Sequence, residues 1–208
     1  MSGLIAKELR NHAPFTLFGA ATGIIIIFLF VSIPEKTAYN IFYTLHPLHV
    51  FLSALTTASI YKKYRFEHSR GNRAKFNVVF FILIGYTGAI GIATLGDSLI
   101  PYIGEILLDM PRRQPHIGFI EKWWLVNPLA AAGIAAAYFR PSTKFPHMCH
   151  VLISTWASLF HIIMADAGGL GIAGIAALFV FLFLAVWLPC CVSDIVFPLL
   201  FVKEGKNK

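Results

Sequence analysis

Six stretches of this chain run for about twenty residues with scarcely a charge in them, which restricts the folds open to it. They cover residues 14–33, 41–61, 76–97, 123–139, 146–165 and 170–192. About 30 Å of hydrocarbon is crossed by about 20 residues at 1.5 Å each, so every stretch reads as a transmembrane helix. The fold class is therefore an all-α integral membrane protein of six transmembrane helices. The third and sixth are followed by further apolar segments, 98–108 and 195–202, which open near Pro101 and Pro198. Proline removes a helical hydrogen bond, so broken or re-entrant extensions are expected there. Charged residues make up 13% of the chain against about 25% in soluble domains, and 57% is hydrophobic, which excludes a disordered chain. Three cysteines are too few, and odd in number, for a disulfide scaffold.

Basic residues orient the spans. Lys7 and Arg10, the run from Lys62 to Lys75, Arg140 and Lys144, and Lys203, Lys206 and Lys208 all fall on one side of a six-span chain. Lys36, Arg112, Arg113 and Lys122 fall on the other. Cytoplasmic loops carry the excess of Lys and Arg, so both termini are expected in the cytoplasm. The net charge of +7 is then accounted for by topology and anionic lipid, and a nucleic-acid partner is set aside. Lys7 and Arg10 before an apolar run could open a signal peptide, but the run is too long and no small-x-small site follows. It reads as a membrane anchor.

The chain repeats itself. His46-Pro-Leu-His49-Val50 and Ser53 recur as His147-Met-Cys-His150-Val151 and Ser154, 101 residues on, and Thr57 continues the match with Ser158. Asp97 and Pro101 recur as Asp194 and Pro198, 97 residues on. Pro14 and Gly19 correspond more loosely to Pro128 and Gly133. Residues 1–110 and 111–208 then form two units of three spans each. An odd number of spans turns the second unit over, giving an inverted-topology repeat, an arrangement common among transporters.

Histidines at i and i+3 share one helical face and can converge on one ion. His46 with His49, and His147 with His150, are such pairs. Asp97 and Asp194 each end the third span of a unit, on the same membrane side as that unit's histidines. Two imidazoles and a carboxylate suit zinc, iron or manganese. The expectation is an outer site of His46, His49 and Asp97 and an inner site of His147, His150 and Asp194. Ser53, Thr57, Ser154 and Ser158 extend these faces as a polar path. His12 could join the inner site, and His116 and Glu121 the outer one. His161 lies eleven residues, about three turns, beyond His150 on the same face. Polar packing between helices is the alternative for the histidine pairs, a helix cap for His12, and a solvated loop for His116 and Glu121.

A haem would need matching histidines on two helices. His147 and His161 are fourteen apart, but Ile60 stands fourteen after His46, so two stacked haems are not expected and a single bridging haem stays open. Cys149 points away from the His147–His150 face and reads as packing. No Walker loop, nucleotide fingerprint, nucleophile elbow or His-Glu-x-x-His occurs. The leading functional expectation is a small divalent-metal or proton-coupled transporter or channel. A membrane metalloenzyme acting on a lipid-like or quinone-like substrate, and a structural subunit, are the alternatives. Self-association is left open.

Overall fold

A computed structural model of the chain describes residues 2–30, 33–67, 77–166, 171–192 and 196–202. Among these residues every regular element is helical. The first three long helices are α1 (Ser2–Phe30), α2 (Glu35–Glu67) and α3 (Val78–Thr94). A π-helical segment, Leu95–Leu99, joins α3 to α4 (Ile100–Leu107). Then come a short α5 (Gly118–Glu121), α6 (Trp123–Phe139), α7 (Lys144–Ala165), α8 (Ile172–Cys191) and a short α9 (Phe197–Leu200).

Among the described residues, three helical runs are long and apolar enough to cross a membrane: Val78–Leu107, Phe145–Ala165 and Ala173–Cys190. Ala13–Ile26 and Trp123–Phe139 are shorter apolar helices. The 33-residue α2 is more polar, and its position explains why. It packs against α3, α6 and α7, so His46, His49, Ser53, Thr56 and Thr57 are buried against protein. A helix shielded by its neighbours does not need the apolar surface that lipid demands of an outer one.

Local chemistry sets the boundaries. The Asn77 side chain accepts from the Phe80 amide and starts α3. Asp109 takes a left-handed backbone (φ 49°), and the Met110 amide returns to the Glu105 carbonyl, ending α4. The segment after Asp97 continues the helix without re-entry. Pro101 sits in the first turn of α4, where a missing N–H is tolerated. The wider π turn buries three consecutive residues, Gly96, Asp97 and Ser98. In the second extension, Pro198 likewise sits in the first turn of α9, while residues 193–195 lie outside the described residues.

Glycines let the outer helices approach the two central ones. A Cβ on Gly133 of α6 would lie 2.3 Å from the Phe51 carbonyl oxygen and 2.9 Å from the Ala54 Cβ of α2. One on Gly19 of α1 would lie 2.9 Å from Thr155 Oγ1 of α7. Such small-residue contacts are how helices pack closely where both sides are apolar. The result is a bundle with α2 and α7 against each other at its centre.

Candidate metal centre

The two histidine helices meet face to face. The rings of His49 on α2 and His150 on α7 are 5.0 Å apart, and those of His147 and His150 are 4.9 Å apart. The expectation of separate outer and inner sites is therefore corrected: the two pairs form one cluster. Pairs 101 residues apart in sequence come together because α2 and α7 pack against each other at these positions.

Asp97 holds the cluster from the π segment. Its Oδ2 accepts from Nδ1 of His46 at 2.9 Å and of His49 at 2.6 Å, and its Oδ1 accepts from Ser154 Oγ at 2.7 Å. All four side chains are buried. A π turn leaves main-chain carbonyls less completely bonded, and Ser158 Oγ donates to the Gly96 carbonyl at 3.0 Å. Ser154 and Ser158, foreseen as a polar path, thus fasten α7 to the turn that carries Asp97. Ser53 and Thr57 are buried on the facing side of α2.

An ionised carboxylate only accepts, so both imidazoles carry their proton on Nδ1. His49 then presents a bare Nε2, which is buried with no hydrogen-bond partner. The ligand atoms of His49, His150 and Cys190 lie within 4.8 Å of one another, and all three residues are buried. Two imidazoles, a thiol and a neighbouring carboxylate form a donor set that could hold a metal ion. Asp97 stands behind His49 as carboxylates stand behind metal-bound histidines, fixing tautomer and ring orientation.

Cys190 was missed by the sequence reading, which sought cysteines in pairs. The available signal was its spacing in sequence, four residues before Asp194. Asp194 and the His12 side chain lie outside the described residues. His46 bonds Asp97 and lies under Gly118 of α5, where a Cβ would be 2.4 Å from its Nε2.

A second polar group lies on the side of the 108–122 connection. Nδ1 of His161 on α7 donates to Glu105 Oε1 of α4 at 2.6 Å, with both side chains fully buried. His116 Nδ1 lies 3.4 Å from Glu121 Oε2, which also accepts from Tyr43 Oη at 2.5 Å. The His116 and His161 rings are 5.4 Å apart. Glu105 is buried and is the carboxylate partner of His161.

The chain matches no known family, no curated protein and no solved structure. The function has to be argued from the site.

Proposed function

We propose that this chain is a six-span membrane transporter for a divalent transition metal, built as two inverted three-helix units that bind the ion at their junction. One observation carries the reading: His49 from the first unit meets His150 and Cys190 from the second, with ligand atoms within 4.8 Å of one another.

The packing supports two equivalent units. α1 lies on α7 and α8 as α6 lies on α2 and α3, α2–α3 is matched by α7–α8, and α4–α7 by α9–α2. Gly19 against Thr155 is matched by Gly133 against Ala54, and positions 54 and 155 are 101 apart, the offset of the histidine pairs. The π segment Leu95–Leu99 is matched by π-helical turns at Val192 and Val196, each 97 residues beyond its counterpart.

An ion shared by two pseudo-symmetric units is one that either unit's movement can expose. Rocking one unit against the other would open the junction to each side in turn, with the donors replacing part of the ion's hydration shell. The basic loops support a topology with both termini in the cytoplasm. Zinc, iron and manganese all accept imidazole, and a thiolate in the set favours zinc or iron over manganese. Tilted rings 5.0 Å apart do not face each other across a plane, so the geometry favours an ion over a haem.

A membrane metalloenzyme is the second reading. Three protein ligands leave a fourth position for activated water, as in catalytic zinc sites.

The test is metal flux into liposomes containing the purified protein and an internal metal-sensitive dye. Uptake of zinc or iron is expected, and His150→Ala and Cys190→Ser should remove most of it. Metal binding without flux, together with turnover of a lipid-like substrate, would move the assignment to the enzyme.

A further inference from the structure

Glu105 of α4 and His161 of α7 form an ionisable pair that the metal cluster does not use. Their Nδ1–Oε1 bond is 2.6 Å long, and both side chains are fully buried. Glu105 Oε2 and His161 Nε2 are also buried, with no hydrogen-bond partner among the described residues. Docking α4 onto α7 would need only the one bond. Ionisable groups inside a membrane protein are costly, and Asp, Glu and His placed there mark proton relays. With one proton between Nδ1 and Oε1, the pair is a carboxylate beside a neutral imidazole and carries a single negative charge. A second proton, taken on Nε2 or on Oε2, makes it neutral. The two atoms open to that proton are the two without a partner.

A route to solvent lies on the side of the 108–122 connection. The His116 ring is 5.4 Å from that of His161, and 15% of the His116 side chain is exposed. Glu121, 3.4 Å from His116 Nδ1, is 39% exposed. On the other side Phe42 stacks on His46 and meets His161 edge-on, each at 5.3 Å, so one aromatic ring separates the pair from the metal cluster. The other ionisable groups around the pair are Tyr102 of α4, Asp97 of the π segment, Asp166 at the end of α7, and Tyr39 and Tyr43 of α2. Lys122 Nζ lies 5.4 Å from both of those tyrosine rings, and Arg112 and Arg113 are paired with Glu35 and Asp109 at the exposed edge. The ionisable residues of α8 are cysteines alone, and residues 13–30 of α1 have none.

We infer that Glu105 and His161, served by His116, form a proton-loading site that couples metal movement to a counterflow of protons. This rests on reading the chain as a metal transporter. A proton received by His116 passes to His161 Nε2, and the Nδ1 proton can then move onto Glu105 Oε1, leaving a neutral acid beside a neutral ring. A divalent ion in the cluster opposes the positive charge of that added proton, and the proton opposes the ion. Alternate loading of this kind is what exchange of metal against protons requires. The pair shares its supports with the cluster: Asp97 and Glu105 lie on the single run Val78–Leu107, and His150 and His161 on α7. In the inverted-repeat reading those two supports belong to opposite units, so the movement that opens the junction also changes the side to which the pair is open.

Zinc accumulation in liposomes holding the purified chain tests this, with the interior about one pH unit more acidic than the outside and the voltage held at zero by potassium and valinomycin. Each proton exchanged per zinc multiplies the accumulation at equilibrium by about tenfold under that gradient. The unmodified chain should therefore concentrate zinc inside. Glu105→Gln, which keeps an acceptor for His161 Nδ1, should still take up zinc but accumulate about tenfold less, because one proton fewer returns per ion. His116→Gln lies at the exposed edge and is expected to fold whatever becomes of the buried substitution. It should approach the plateau several-fold more slowly, with unchanged zinc affinity at the junction. Accumulation undiminished in Glu105→Gln would trace the protons to the metal ligands and overturn the inference, as would an unchanged rate in His116→Gln. Zinc that only equilibrates in the unmodified chain overturns the coupling and leaves metal transport standing. No zinc uptake at all overturns both.

Discussion

His49 and Asp97 are joined by a 2.6 Å hydrogen bond through Nδ1, and the same imidazole leaves its Nε2 buried and unbonded. The carboxylate thereby selects the tautomer that leaves this nitrogen bare. It also holds His46 and Ser154, so one side chain ties α2 and α7 to the π turn.

Asp97→Asn removes the charge and puts an N–H beside the Nδ1–H groups that the carboxylate received. Loss of such an outer-shell partner typically costs 10–100-fold in metal affinity. Zinc affinity measured by competition with a chromophoric chelator should fall by about that factor. The metal-free variant should retain its helical circular dichroism. Unchanged affinity would remove Asp97 from the site.

The sequence disclosed these groups more readily than their arrangement. The all-helical, apolar character was legible because lipid imposes a run length on the helices that cross it. What escaped was the packing of α2 against α7, since contacts between helices leave no local period. The pairing of Glu105 with His161 escaped for the same reason, because the two are 56 positions apart on different helices. Asp97 could be recognised as important, yet nothing local showed that it faces imidazoles through Nδ1. Only the π turn, which turns three consecutive residues inward, gives it that place.

Gly118→Ala should disturb the site from outside it. The added Cβ would come within 2.4 Å of the His46 ring, so the ring must shift or α5 must lift. A shifted ring loses its 2.9 Å bond to Asp97. Overpacking of this kind typically costs about 1–3 kcal/mol, and a lower Tm in detergent is expected. Metal binding should partly restore the Tm, because a ligand held only by the folded state stabilises it. A Tm and affinity equal to those of the unmodified chain would show that His46 can move freely.

Cys190→Ser should change preference as well as affinity. A thiolate favours softer ions, whereas a hydroxyl is a poor ligand for them. Competition between cadmium and manganese should therefore shift toward manganese in the variant, mainly through loss of cadmium affinity. Equal losses for both ions would mean that Cys190 does not touch the metal.

Acid should release the ion. Ligand imidazoles must be neutral and a ligand thiol deprotonated for coordination, so protons compete with the metal for the same atoms. Affinity should therefore fall as the pH is lowered and rise as it is raised, and binding should release protons, measured with a pH-indicator dye in weak buffer. Cys190→Ser should release fewer protons per ion than the unmodified chain, because it has no thiol proton to displace. Affinity independent of pH would mean that neither kind of ligand takes part, and the metal reading of the junction would fail with it.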